Sequence, residues 1–301
     1  MFDNIYFYVN GEWLLGGEAK ISIFDHGLLY GDGIYEALKS YDGRVFRLEE
    51  HLDRMWLSAR MVDLNIPLSR DEMRGVILEA VRRNSFREAS IRPIITRGTG
   101  QMLLTPIGCT PTVLVMAFPF PATFDPKGMK VKTSGVRRIP PDCLDSKIKS
   151  LNYLNNVLAA MEAYAAGADE ALMLDVRGFV SEGSRENVFI VRGGKLHTPT
   201  TVNVLDGITR RTVIQLAEQL GIQTVERDIT LGEVYAAEEV FMCSTAAEIA
   251  PISEVDGRRI GTGVGDANEC PGPITRQLLA AFRKATVEWG TSAYPSEVAG
   301  A

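Results

Sequence analysis

The chain has 301 residues, 46% of them hydrophobic and 23% charged, and a formal net charge of −6. That length can bury a sizeable core and fits one large or two ordinary domains. The mild acidity argues against a nucleic-acid binder, which shows a basic footprint. No stretch approaches the ~20 apolar residues that a bilayer span requires. The opening MFDNIYFYVNGEW lacks the basic-then-apolar order of a signal peptide. Cys109, Cys143, Cys243 and Cys270 form no CxxC pair and are expected to be reduced thiols, which points to a cytoplasmic protein. His26, His51 and His197 are too scattered to predict a zinc site.

In chain order, residues 5–14 predict a hairpin, IYFYV and EWL around the Asn10-Gly11 turn. YEALKSY and RVFRL predict a second around Asp42-Gly43. Residues 47–62 place Leu48, Leu52, Met55, Trp56 and Ala59 at helical spacing. Ser69 with Glu72 forms a capping-box pattern that opens a helix to about Asn84. The segments SIRPIITRG and TVLVMAF then predict strands, so residues 1–120 form an expected α+β domain. FPFPATFDPKG holds three prolines and a glycine and predicts a linker, placed at 121–128. Residues 129–301 are expected to form a larger domain. In it, MKVKTSGVRR, ALMLDV, NVFIV and EEVFMCS predict strands. LNYLNNVLAAMEAYAAG and TRRTVIQLAEQLG predict helices ended by Gly167 and Gly221, and a last amphipathic helix spans about 273–288.

Four segments could carry chemistry. Lys149 lies between Ile148 and Leu151 just before an apolar helix; most lysines are solvated surface charges, but a desolvated amine becomes a nucleophile or general base. Glu182, in VSEGSRENVFIV, reads as a turn carboxylate, either exposed or held beside a charged ring nitrogen. Gly207 precedes a helix start with Ile208 and Thr209 in its first turn, suited either to ordinary capping or to a phosphate. Ser244 and Thr245 follow a strand, where small hydroxyls either end the strand or donate to an anion. None of the four is specific alone.

Their order along the chain resembles the class IV (fold-type IV) pyridoxal-phosphate aminotransferases. The resemblance runs through FDHGLLYGDGIYE (24–36), FRLEEHLDRM (46–55), IRPIITRG (91–98), KSLNYLN (149–155), EGSRENVF (182–189), GITR (207–210), STAAEI (244–249) and GPITRQL (272–278). It implies an α/β (α+β) two-domain fold, with a smaller N-terminal α+β domain and a larger C-terminal domain with a β-barrel-like core. It implies pyridoxal 5'-phosphate as cofactor, with Lys149 as the lysine that carries it and the catalytic residue. Glu182 resembles the partner of the ring nitrogen, Arg54 the arginine on the phosphate, and Ile208, Thr209 and Thr245 the rest of the phosphate cup. Leu205 resembles the residue against the ring, and Tyr153 the tyrosine near its phenolic oxygen. Tyr30, Tyr35, Arg92, Thr245 and Ala246 lie where the family binds substrate.

The overall likeness is greatest to branched-chain aminotransferases. Tyr35, Lys39 and Ser244 are similar to D-amino-acid aminotransferases instead, and Ala37 and Ser90 depart from the branched-chain pattern. The loop after TRGTG carries Met102, Leu103 and Leu104, an apolar wall that favours a hydrophobic substrate group. The expected activity is transfer of an amino group from a branched-chain amino acid to 2-oxoglutarate by a ping-pong mechanism. D-amino-acid or (R)-amine transamination and aminodeoxychorismate lysis remain open as alternatives. The expected partners are small amino and 2-oxo acids and a second copy of the chain, in a homodimer or larger homo-oligomer, without nucleic acid or membrane.

Overall fold

The computed structural model describes residues 2–119, 127–261 and 270–294; residues 121–126 of the expected linker lie outside them. The described residues form two compact units. One draws on 1–121, 148–152 and 285–301, the other on 122–147 and 153–284.

In the first unit, β1 (Tyr6–Val9) and β2 (Glu12–Leu15) form the first hairpin. Asn10 and Gly11 take φ of 47° and 101°, the positive values that a tight hairpin turn demands. Next comes α1 (His26–Tyr30), a single turn capped by the Asp25 carboxylate, which periodicity did not foresee. The YEALKSY run divides into β3 (Gly33–Tyr35) and β4 (Leu38–Tyr41), and the Asp42-Gly43 turn leads to β5 (Arg44–Phe46). Then follow α2 (Leu48–Met61) and α3 (Arg70–Arg83), the latter opened by the reciprocal Ser69–Glu72 capping box. Strands β6 (Ala89–Thr99) and β7 (Thr110–Phe118) pair antiparallel.

The second unit begins with β8 (Met129–Thr133), half the length expected of MKVKTSGVRR. It continues with α4 (Leu154–Ala165), β9 (Glu170–Leu174), β10 (Val180–Gly183), β11 (Asn187–Arg192) and β12 (Lys195–Thr198). Helix α5 (Ile208–Gln219), β13 (Thr224–Glu226), α6 (Leu231–Tyr235), β14 (Glu239–Ser244), β15 (Glu248–Val255) and β16 (Arg258–Arg259) follow. Helix α7 (Pro273–Glu288) leads to β17 (Gly290–Ser292), which belongs to the first unit.

The first unit is one sheet in the order β17-β5-β4-β6-β7-β1-β2, with β3 also on β6. Helices α2 and α3 lay Leu52, Met55, Met73 and Ile77 against Ile34, Leu38, Ile91 and Val115 of the sheet. The second unit is a mixed sheet in the order β10-β9-β8-β15-β14-β11-β12-β13, the expected barrel-like core, with β16 on β15. Val131, Leu172, Ile190, Val240 and Ile252 fill one side of it. Phe189 of β11 stacks on Phe241 of β14 at 5.0 Å. Among the described residues no helix is long and apolar enough to cross a membrane, and all four cysteines are thiols.

Candidate active site

The residues singled out by sequence fall in both units, and each unit arranges its own. In the first, residues 149–151 lie along β3 as a short antiparallel partner. The Tyr35 N–H donates to the Lys149 carbonyl at 2.9 Å, and the Leu151 N–H to the Gly33 carbonyl at 2.9 Å. The Lys149 N–H donates to Ser58 Oγ of α2 at 3.2 Å. The main chain is thus fixed on both sides, and the lysine is 8% exposed, not the solvated surface charge that most lysines are. Its Nζ stands 4.5 Å from the Tyr35 ring centre, and the Arg92 guanidinium lies 5.4 Å from the same ring. Strand alternation explains the set, because Tyr35 and its cross-strand neighbours on β6 share a face. Tyr30 closes α1, its ring 4.9 Å from that of His26.

Next to Tyr35 the side chain of Glu36 turns to the opposite side and is buried. Arg54 grips it with a two-pronged fork, Nε to Oε1 and Nη2 to Oε2, both at 2.7 Å. His51, one helical turn before Arg54 on α2, meets Oε2 through Nδ1 at 2.8 Å. Burial alone would push the Glu36 carboxyl up. The Arg54 charge, with the hydrogen bonds of Arg54 and His51, outweighs it and holds the carboxyl well below the usual carboxylate range. Burial also pushes the His51 imidazole down, against the pull of Glu36. Sequence reasoning found Arg54 but missed Glu36 and His51. The signal was present: His51 and Arg54 stand at i and i+3 on one helix face, and Glu36 ends the GDGIYE block.

In the second unit Glu182 lies on strand β10, not in a turn, and its side chain is 6% exposed. A bulge explains the misreading. The register between β9 and β10 shifts between Val180 and Gly183, which hides the alternation from the sequence. Arg138 Nε donates to Glu182 Oε1 at 2.7 Å. The Leu205 N–H donates to Oε2 at 3.0 Å, and Asn187 Nδ2 reaches the same oxygen at 3.3 Å. Asn187 Nδ2 also donates to the Leu205 carbonyl at 2.9 Å. The carboxylate is therefore tied to the segment that leads into α5. Arg138 lies outside the blocks that carry the resemblance, and Asn187 stands inside EGSRENVF but was not singled out.

Gly207 is the N-cap of α5 and supplies no side-chain cap, while Ile208 and Thr209 of the first turn are buried. Unsatisfied N–H groups and the helix dipole there suit an anion. The φ of Gly207 is −70°, so the constraint is space: an added Cβ would stand 2.0 Å from Asn187 Oδ1. Gly207→Ala should therefore displace Asn187 and cost ~1–3 kcal/mol, read as a lower midpoint in urea unfolding. Ser244 closes β14 and its Oγ accepts the Ala247 N–H at 3.1 Å, which curls Thr245 and Ala246 into a tight turn, both half-buried. Tyr153 is the N-cap of α4 and half-buried.

The first unit thus holds a buried amine beside an aromatic ring, and the second a buried carboxylate held by an arginine and a helix start without a side-chain cap. The family pattern described as amino-transferase class IV matches residues 33–255. The chain belongs to the class IV aminotransferases. A relative from Methanocaldococcus jannaschii is 46% identical over 289 residues, 95% of this chain and 98% of its own. The branched-chain-amino-acid aminotransferase of Pseudomonas aeruginosa is 39% identical, over 96% of this chain and 97% of its own. Among solved structures, a T.th. branched-chain amino acid aminotransferase complexed with N-(5'-phosphopyridoxyl)-L-glutamate superposes with a TM-score of 0.91. It is 36% identical, covering 98% of this chain and 100% of that one.

Proposed function

We propose that this class IV aminotransferase moves the amino group of branched-chain L-amino acids to 2-oxoglutarate on pyridoxal 5'-phosphate, in the cytoplasm, with ping-pong kinetics. The observation that carries the reading is the buried Lys149 amine, main-chain-fixed beside Tyr35. The names of the Pseudomonas relative and of the structure with a phosphopyridoxyl glutamate support the substrate pair and the cofactor.

Lys149 would carry the cofactor and Glu182 would face its ring nitrogen. Arg54, Gly207, Ile208, Thr209, Ser244 and Thr245 would hold the phosphate. Leu205 would pack on the ring and Tyr153 would stand near the phenolic oxygen. When bound, the cofactor supplies the electron sink for a carbanion and the carrier on which the amino group waits between two half-reactions. Lys149 Nζ, once a free amine, takes the proton from the substrate Cα and holds it for return. Glu182, fixed by Arg138, Asn187 and Leu205, would be the acceptor for a proton on the ring nitrogen. Arg92 carries the charge for a substrate carboxylate on the face that Tyr35 shares, and Tyr30, Thr245 and Ala246 complete the expected substrate contacts.

Met102, Leu103 and Leu104 are 65%, 55% and 85% exposed, an apolar surface that gains from covering a hydrophobic side chain. Initial rates with L-leucine, L-isoleucine and L-valine should exceed those with D-alanine or (R)-1-phenylethylamine by about 100-fold, the order that pocket shape supplies. The reverse ranking would make this a D-amino-acid or amine transaminase, and pyruvate released from aminodeoxychorismate without an acceptor would make it a lyase.

We further propose a homodimer with α4 in its seam. Leu154, Val157, Leu158, Met161 and Tyr164 form one apolar stripe at helical spacing and are 46–70% exposed. Met161→Asp should lower the sedimentation coefficient to that of a monomer at micromolar concentration. An unchanged coefficient would move the seam elsewhere.

A further inference from the structure

The second unit holds another pair of carboxylates that the chemistry above does not use. Glu170 opens β9 and Glu186 immediately precedes β11, with side chains 1% and 0% exposed. One guanidinium serves both: Arg185 Nε lies 3.1 Å from Glu186 Oε1 and 3.7 Å from Glu170 Oε2, on a side chain that is 45% exposed. Two ionised carboxylates against one half-solvated cation would bury an uncompensated negative charge, which neutralises by taking up a proton. Glu170 Oε2 is buried and accepts no hydrogen bond among the described residues. An acidic proton on the neighbouring carboxyl is the donor such an oxygen lacks.

We propose that Glu170 and Glu186 share one proton, and that the resulting carboxyl–carboxylate pair is a positioning element for Glu182. The pair grips the short turn between β10 and β11. Glu170 Oε1 accepts the Ser184 N–H at 3.1 Å and the Ala171 N–H at 2.8 Å. Glu186 accepts the Arg185 N–H through Oε2 at 3.2 Å, and its carbonyl accepts the Gly183 N–H at 2.6 Å. From α4, Asn156 Nδ2 holds the Ser184 carbonyl at 2.7 Å. Glu182 of β10 stands two residues before Ser184, and Asn187, which donates to Glu182, is the residue after the turn. Room is short as well: a Cβ added at Gly183 would stand 3.1 Å from Glu186 Oε2. A second ionisation would set two like charges against each other across the turn, and the strain would fall on Glu182.

The charged and titratable neighbours on the surrounding elements fit this reading. Burial, and then the charge of Glu170, push the Glu186 carboxyl well above the usual carboxylate range. Burial pushes the Cys243 thiol of β14 up, and the charge of Glu186 adds to it. Arg210 of α5 acts on Cys243, and Tyr164 of α4 acts on Arg185.

The shared proton stands on the pair alone; the positioning role rests on the assignment of Glu182 to the ring nitrogen. Infrared spectra of the holoenzyme at neutral pH should show the carbonyl stretch of a protonated carboxyl, lost in Glu186→Gln and in Glu170→Gln. A carboxyl raised on folding stabilises the fold in acid, and that contribution is lost as pH rises through the folded value. The melting temperature of wild type should therefore fall relative to Glu186→Gln as pH rises above the ordinary carboxylate range. The cofactor's visible absorbance should drift over the same pH range in wild type and stay constant in Glu186→Gln. The amide keeps a donor toward Glu170, so Glu186→Gln should retain the cofactor spectrum that Glu186→Ala loses. A wild-type spectrum without the protonated-carboxyl band overturns the proposal. So do parallel stability curves for wild type and Glu170→Gln, the comparison that decides if Glu186→Gln does not fold. A band with a pH-independent cofactor spectrum refutes positioning alone. If Glu182→Gln also leaves that spectrum unchanged, the failure lies in the reading of Glu182.

Discussion

Lys149→Ala should lose about 10⁴-fold in kcat, since the proposed function gives this one amine both the attachment and the proton transfer. The fold should survive. The contacts that fix this residue run through its main chain, from Tyr35 N–H to its carbonyl and from its own N–H to Ser58 Oγ, and alanine keeps both. The check is a single-turnover experiment with L-leucine that follows the cofactor's absorbance, beside a melting curve that matches wild type. Added methylamine should restore part of the rate by supplying an amine to the space that the side chain leaves. A variant that keeps more than about a hundredth of the wild-type rate would assign the proton transfer to another group.

Glu36→Ala is the second large effect, and it falls on stability. Arg54 and His51 are 5% and 3% exposed, and removing Glu36 takes away the buried carboxylate that both bind. Removing one partner of such a buried set costs ~3–5 kcal/mol, visible as an earlier midpoint in urea. Acid should have the same direction of effect. A carboxyl depressed on folding gives stability that is present above its unfolded value and lost as pH falls toward the folded one. The depressed His51 adds to this, because the unfolded imidazole takes up a proton first. The contributions of His51 and Glu36 to stability should thus decline from about pH 6.5 downward, and Glu36→Gln should flatten the part below about pH 4.5 relative to wild type. Because Glu36 also orients Arg54, the alanine variant should need more cofactor for saturation, measured by titration of the apoenzyme.

Local chemistry was legible wherever one short segment decides the outcome. The Asn10-Gly11 and Asp42-Gly43 turns, the Ser69–Glu72 box and the ends of α4 and α5 at Gly167 and Gly221 each rest on a few neighbouring residues. Lys149, Glu182 and Arg54 could be singled out because they sit in recognisable blocks, while the roles proposed for them came from the order of those blocks. Long-range partners left no such trace. Arg138 lies 44 residues from Glu182, and the carboxylate binds it only because β10 folds back along β9. Glu36 and His51 are 15 apart, and their meeting needs β3 to lie beneath α2. The one-turn helix α1 and the two-residue strand β16 are too short for periodicity to register. The bulge near Glu182 disguised a buried strand residue as a turn residue.

The last strand carries a consequence for the order in which the protein is made. Arg44 Nη2 donates to the Gly290 carbonyl across 246 residues, and β17 completes the edge beside β5. A ribosome therefore releases every strand from β1 to β16 before the sheet begun by the first hairpin gains its edge beside β5. The segment with Lys149, which pairs with β3, is itself made only after β4 through β8. The second unit, contiguous apart from one short excursion, has all its strands in hand before β17 emerges. Synthesis thus favours the later-encoded unit as the first to finish. A nascent chain halted before residue 285 would leave β5 as an open edge, a surface that chaperones recognise and aggregates exploit.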